Sequence, residues 1–352
     1  MIVKTDTINS RLENWLNTHQ PDKVVVVTSE SSFKLCLPKL SIHKKLDNVV
    51  YRLPDGDDAK TIEFCQDFWS VMMRNDANRK SVIIAVGGGA VLDFSGFCAS
   101  VFMRGLACIY VPTTLLSMVD GSEGGKTGIN FYGTKNIIGT FSEPNLVLRN
   151  IEFLTTLTKN EIFSGWAEIL KHGILEGGEI FKQIQGGIKP FSDEDYWINL
   201  IRLNIEFKKS ITSADFKEKG QRKLLNLGHT FGHGLEALFF EDPNITHGKA
   251  VANGIYWETL LALELGFTNE ENLRIVENLI FPLYPKIGWN KFQVEEIGNL
   301  LMHDKKNENG WIHFTFSKQI GAAEYNIEVA KQRILHFLDK HAEDVESIED
   351  IL

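Results

Sequence analysis

The chain has 352 residues, long enough for two domains with a core of enzyme size. A formal net charge of −9 disfavours nucleic acid or an anionic membrane surface as the main partner. The four cysteines, Cys36, Cys65, Cys98 and Cys108, form no CxxC pair, which argues against a disulfide framework or a cysteine zinc site.

The opening MIVKTDTINSRLENWL lacks an apolar run of signal-peptide or anchor length, and no later run approaches a membrane span, so a reduced, cytoplasmic setting is expected. KVVVVTS (23–29), NVVYRL (48–53), SVIIAVGGG (81–89) and ACIYVPTT (107–114) read as buried, β-branched strands. Between the second and third, AKTIEFCQDFWSVMMR (59–74) has helical spacing. Strands alternating with helices predict a Rossmann-like parallel sheet over residues 1–150. From about residue 151 the texture changes. TKNEIFSGWAEILKHGIL, YWINLIRLNIEFKKSITSADFKEKG, GHGLEALFF and GKAVANGIYWETLLALELGF place apolar residues at three- and four-residue intervals. Only WIHFTF (311–316) alternates like a strand. The fold class expected is therefore α/β: an N-terminal parallel-sheet domain, 1–150, followed by a mainly α-helical C-terminal domain, 151–352.

Gly87, Gly88 and Gly89 follow the third strand and open a helix that carries Asp93 in its first turns. Backbone N–H groups can approach a phosphate closely there, and the helix N-terminus favours its charge. The spacing is not GxGxxG, so the order strand, glycine turn, helix carries the reading. Thr113 and Thr114 form a second polar turn after the next strand, at the same carboxyl edge of the sheet. The stretch 104–139 then sets Arg104, Asp120, Lys126, Asn130, Lys135 and Asn136 among glycines, which reads as a binding loop for an anionic, hydroxylated small molecule.

In NLGHTFGHGLEALFFEDPNITHGK (226–249), His229 and His233 lie four residues apart and share a helix face. His247 follows a short loop. Two histidines and a carboxylate with one open position is a common catalytic zinc arrangement, and Glu168 in GWAEILKHG is the best carboxylate candidate. Lys171 falls on the same helical face three residues later. Not every histidine need be a ligand, since one could act as an acid–base group near neutral pH.

The motifs GGGAVLD, RG…PTTLL…VD…GGKTGIN, KNIIG, AEILKHG, LNLGHTFGHGLE and DKK occur in order, most densely from about residue 54 to 316, and resemble the 3-dehydroquinate synthase family of sugar phosphate cyclases. The resemblance implies Glu168, His229 and His247 as ligands to zinc or cobalt, with His233 a catalytic group beside the metal. It implies substrate contacts from Arg104, Asp120, Lys126, Asn136, Lys171, Lys208, Arg222 and Asn226, completed by Lys305 or Lys306. It places NAD on Gly88, Gly89, Asp93, Thr113, Thr114, Asp120, Lys135 and Thr156, with Asp57 and Lys60 facing its nicotinamide side. The implied substrate is a phosphorylated sugar acid, and the implied assembly a homodimer. Lysine, arginine and asparagine at 208, 222 and 226 favour the dehydroquinate-forming member of the family. Three departures stand out: Asp57 where glutamate is usual, TSES (28–31) without the usual acidic residue and asparagine, and Lys249 where HGE is usual.

Overall fold

The computed structural model describes residues 2–3, 5–44, 49–242, 244–302 and 310–343. The chain forms two compact units, Met1–Gly165 with Lys189–Lys217, and Trp166–Ile188 with Glu218–Leu352. The helix Lys159–Glu176 carries the chain from the first into the second, and the helix Glu194–Ala214 runs with the first.

In the first unit, five parallel strands form one sheet in the spatial order Val49–Leu53, Val24–Ser29, Val82–Gly87, Ala107–Pro112 and Leu146–Val147. The first four are those that the β-branched runs predict. Thr28 pairs with Val86 and Gly87 with Pro112, so the carboxyl ends of neighbouring strands are level. All of Val82–Gly87 is buried, as expected of a central strand covered on both faces. The helices Ile62–Arg74 and Gly89–Val101 bring Phe68 and Phe94 into one core with Val25, Val27, Ile83 and Ala85. Each large apolar side chain buried there contributes about 1.5–3 kcal/mol. Thr61 caps the first of these helices by accepting a hydrogen bond from the Phe64 N–H.

The second unit is mainly helical, with His229–Leu238, His247–Glu264, Glu270–Ile280, Val294–Met302 and Lys331–Lys340 as its main helices among the described residues. Trp257 and Trp289 pack with ring centroids 4.4 Å apart, and Phe231 lies 6.2 Å from Trp289. Both indole N–H groups find carbonyl acceptors, on Ile287 and Leu338. A buried indole needs such a partner. No helix among the described residues is long and apolar enough to cross a membrane.

Two antiparallel hairpins depart from the sequence reading. The expected binding loop folds as Lys126–Phe131 paired with Thr134–Phe141. Its two-residue turn, Tyr132–Gly133, has both φ angles positive, 48° and 74°. That is the backbone of a hairpin turn whose twist matches its strands, normally announced by Asn-Gly. Tyrosine in the first place hid it. WIHFTF likewise has a partner: Trp311–Gln319 pairs with Ala322–Ala330. The second strand fully buries only Val329 and holds Asn326 at φ 59°, so it shows little apolar alternation.

Candidate functional site

In the second unit, two of the three metal-ligand candidates begin helices. His229 opens His229–Leu238 after Gly228, whose φ of 80° suits glycine. His247 opens His247–Glu264, capped by the Thr246 hydroxyl, which accepts from the Lys249 N–H. The fully buried Glu258 caps the His229 helix from its neighbour by accepting from the N–H groups of Gly228, Thr230 and Phe231 at 2.6, 2.9 and 3.1 Å. The same two helices touch backbone to backbone. A Cβ on Gly254 would meet the Gly228 carbonyl oxygen and lie 2.7 Å from the Gly232 nitrogen.

The third candidate, Glu168, sits buried on Lys159–Glu176 and pairs through Oε2 with the buried Lys171. Its Oε1 faces both imidazoles, 3.5 Å from His229 Nε2 and 3.8 Å from His247 Nε2. One ligand atom from each residue lies within 4.8 Å of the others. The far ring nitrogens are also engaged: His229 Nδ1 is 3.2 Å from the Leu227 carbonyl, and His247 Nδ1 is 3.3 Å from Glu236 Oε2. A partner on Nδ1 fixes each ring with Nε2 toward Glu168, where a metal would take the place of a proton.

Burial, followed by the charge of Lys171, holds the His229 imidazole well below its ordinary pKa, so it is neutral at pH 7. Burial acts the same way on His247, but hydrogen bonds to Glu168 and Glu236 outweigh it and push that ring up to about 10. Two carboxylates converging on His247 favour positive charge there, which a divalent cation would supply in place of the ring's proton. Two imidazoles and one carboxylate match the donor set of a catalytic zinc or cobalt site. His233 is exposed, with its ring 5.4 Å from His229 and 6.4 Å from His247, and lies outside the converging triad. Arg222 and Asn226 lie on the turn Gln221–Asn226 just before Gly228; Asn226 donates to Glu218 at 2.9 Å. Lys305 and Lys306 lie outside the described residues.

In the first unit, the glycine turn and the threonine turn stand side by side. Thr113 N–H donates to the Gly87 carbonyl at 3.0 Å, and a Cβ on Gly88 would lie 3.1 Å from Thr114 Cγ2. Gly89 faces open space. A phosphate could therefore approach the N-terminus of Gly89–Val101 without meeting a side chain from Gly88 or Gly89. Around Asp93 the expected residues gather: buried Lys60 donates to Asp93 at 3.1 Å and to Asn136 at 2.9 Å, and lies 3.3 Å from Asp57. Lys135 approaches Asp57 at 3.9 Å. Lys208, on Glu194–Ala214, donates at 2.8 Å to both the carboxylate and the carbonyl of Asp120. Thr156 donates to the Phe153 carbonyl at 2.7 Å. Arg104 and Lys126 are exposed, Arg104 at φ 71°.

Three residues of these constellations, Glu236, Glu258 and Arg149, escaped the sequence reading. Glu236 and Glu258 serve the histidine helices. Asn130 ties the hairpin to the Asp57–Lys60 turn, its N–H on the Lys60 carbonyl and its side-chain amide on that of Asp57. Arg149, fully buried, holds the π-helical turn Ser117–Gly121 that carries Asp120, donating to the Met118 carbonyl and to Ser122 and pairing with Glu123.

Family models described as 3-dehydroquinate synthase N-terminal and C-terminal match residues 50–164 and 165–307. The chain belongs to the 3-dehydroquinate synthase family. A 3-dehydroquinate synthase from Parabacteroides distasonis is 34% identical over 344 residues, 97% of this chain and 98% of the relative. One from Corynebacterium pseudotuberculosis is 38% identical over 75% of this chain and 74% of its own. Among solved structures, 2-deoxy-scyllo-inosose synthase complexed with carbaglucose-6-phosphate, NAD+ and Co2+ aligns with a TM-score of 0.84 at 22% identity, covering 97% of this chain and 96% of that one. ValA, a 2-epi-5-epi-valiolone synthase from Streptomyces hygroscopicus subsp. jinggangensis with NAD+ and Zn2+ bound, aligns with a TM-score of 0.80 at 24% identity, covering 96% and 94%. Both share the fold of this 3-dehydroquinate synthase family member.

Proposed function

We propose that this chain is an NAD- and metal-dependent lyase converting 3-deoxy-D-arabino-heptulosonate 7-phosphate to 3-dehydroquinate and phosphate, the second step of the shikimate route to aromatic amino acids. The observation that carries the reading is the convergence of Glu168, His229 and His247 in a chain of this family. When bound, the dinucleotide supplies a hydride acceptor that is regenerated within the turnover, and the divalent cation supplies a Lewis acid at the substrate hydroxyls.

The chain's own residues do the rest. Glu168, His229 and His247 hold the cation. Gly88, Gly89, Asp93, Thr113, Thr114, Asp120, Lys135 and Thr156 hold the dinucleotide, with Asp57 and Lys60 on its nicotinamide side. Arg104, Lys126, Lys171, Lys208 and Arg222 supply the positive charge that a phosphate and a carboxylate require, with Asn136, Asn226 and the Lys305–Lys306 pair beside them. Lys171 pairs with Glu168 Oε2, while Glu168 Oε1 faces the two imidazoles. His233, near the ligands yet outside the triad, is placed to carry a proton. The working form in this reading is a cytoplasmic homodimer.

A phosphate-release assay with and without chelator tests it. Release that needs NAD+ and metal, without net NADH, is the expected result. Net NADH without phosphate would indicate a polyol dehydrogenase instead. Turnover of a heptulose phosphate lacking the carboxylate would indicate another sugar phosphate cyclase.

A further inference from the structure

Asp120 sits in a turn of unusual form. Ser117–Gly121 is π-helical, a rare conformation met mostly as a single turn and often at functional sites. Its first residue is locked to the threonine turn: the Ser117 hydroxyl donates to the Thr114 carbonyl at 2.9 Å, and the Thr114 N–H donates to that hydroxyl at 3.2 Å. Its far end breaks off. A continued π-helix would bring the Glu123 N–H to the Met118 carbonyl, five residues back, but that N–H bonds to the Asp120 carbonyl at 3.0 Å. Arg149 Nε takes the Met118 carbonyl at 2.9 Å. Its Nη2 donates to the Ser122 hydroxyl at 2.8 Å and pairs with Glu123 Oε1. One guanidinium thus spans the turn from residue 118 to residue 123, with Asp120 between.

The base of this clamp belongs to the main sheet. Arg149 follows Leu148, whose N–H donates to the Tyr110 carbonyl at 2.8 Å, and its own strand Arg149–Asn150 pairs with Ile2–Val3. The helix Glu194–Ala214 brings Lys208 onto Asp120 and sets Lys209 3.6 Å from Glu123 Oε2. Gly124 and Gly125, at φ 86° and 66°, then lead the chain to Lys126. Stability alone does not account for this arrangement. Arg149 and Glu123 are both buried, and Arg149 Nη1 finds no acceptor among the described residues. A buried ion pair is commonly no more stabilising than apolar side chains of the same volume, and an unmatched buried donor costs further free energy. What the guanidinium supplies is a fork of fixed geometry.

We propose that the Arg149–Glu123 pair positions Asp120, fixing the π-helical turn so that the Asp120 carboxylate and Lys208 meet substrate and dinucleotide in one arrangement. Fully buried, Arg149 acts through Asp120 and is a positioning residue. The inference rests on the reading of Asp120 and Lys208 as ligand contacts. Its test replaces the pair by apolar residues of similar volume, Arg149→Met with Glu123→Leu, in the full chain loaded with zinc and NAD+. Hydrogen–deuterium exchange over residues 117–123 should quicken by roughly tenfold or more, while the rest of the first unit and the denaturation midpoint stay at wild type. The kcat of phosphate release from 3-deoxy-D-arabino-heptulosonate 7-phosphate should fall by roughly tenfold to a hundredfold, the effect of displacing a contact group by about 1 Å, with zinc content unchanged. Arg149→Lys, which keeps the charge without the fork, should recover little of that loss. Should the double variant unfold early, Glu123→Gln serves in its place and should show the same quickened exchange and a lowered kcat. Unquickened exchange at 117–123, or a wild-type kcat, in a folded variant overturns the positioning role. A wild type that releases no phosphate overturns the reading of the site, and the positioning role falls with it; the exchange data still show whether the pair holds the turn.

Discussion

The two units build their chemistry from different material. In the first, the candidate residues sit on turns at the carboxyl edge of a parallel sheet, where one-residue shifts and polar side chains decide what a ligand meets. In the second, the candidate metal ligands come from the first residues of two helices and the middle of a third, and the helix starts are fixed by buried backbone contacts. The turn-built region carries serines at 29, 31 and 32 and an aspartate at 57, while the helix-built cluster brings Glu168, His229 and His247 together. A metal demands three atoms within a narrow range of distances, whereas a dinucleotide can be held by different groups at the same edge.

His247→Ala should break that contrast most sharply. Metal content measured by atomic emission should fall by well over the roughly 10–100-fold typical of losing an outer partner, while NAD+ affinity stays at the wild-type value. Zinc retained at full stoichiometry would falsify the ligand assignment. Gly254→Ala comes next, because its methyl group would overlap the Gly228 carbonyl. Chemical denaturation should show a loss of about 3 kcal/mol, with metal affinity reduced in parallel. A neutral result would mean that the two helices can part without disturbing the cluster.

Glu236→Gln removes the charge behind His247 and should weaken zinc by roughly 10–100-fold without unfolding the chain. Competition with a chromogenic chelator measures it, and an unaltered affinity would place Glu236 outside the metal's support. The smallest effect is expected at Glu264, which accepts from Lys340 at 2.8 Å and lies 2.6 Å from His341 Nε2. Burial opposes ionisation there, but those hydrogen bonds outweigh it and hold the carboxyl below its ordinary value. A depressed folded pKa contributes stability above the unfolded value of about 4.3, and this is lost as pH falls through the folded pKa. Glu264→Gln should therefore cost about 1 kcal/mol at pH 7, and the two stability curves should converge near pH 3. A constant offset across that range would show that the loss is packing and not charge.

Much of this was readable from residue order. The four β-branched runs became strands of the sheet because a central parallel strand is apolar on both faces and leaves no ambiguity of period. The three glycines after Ile83–Val86 marked the glycine turn for the same local reason. Spacing alone paired His233 with His229, since both share a helix face, yet the ligand atom that completes the cluster comes from His247 across a loop. Glu236, Glu258 and Arg149 were not legible at all. Each is an ordinary acidic or basic residue whose partner arrives only when distant segments pack. The hairpin at 126–141 was missed because Tyr132 occupies a left-handed position without the usual asparagine.

The contact of Gly254 with Gly228 and Gly232 has a consequence for anyone redesigning the metal. Side-chain substitutions elsewhere in the surrounding core can repack without moving the two helices, because main chain rests on main chain there and has no rotamer to change. Attempts to admit a larger ion by enlarging neighbouring side chains should leave the His229–His247 separation where it is. Widening it requires changing the glycines themselves, so the span between the imidazoles is a property of three residues that carry no chemistry of their own.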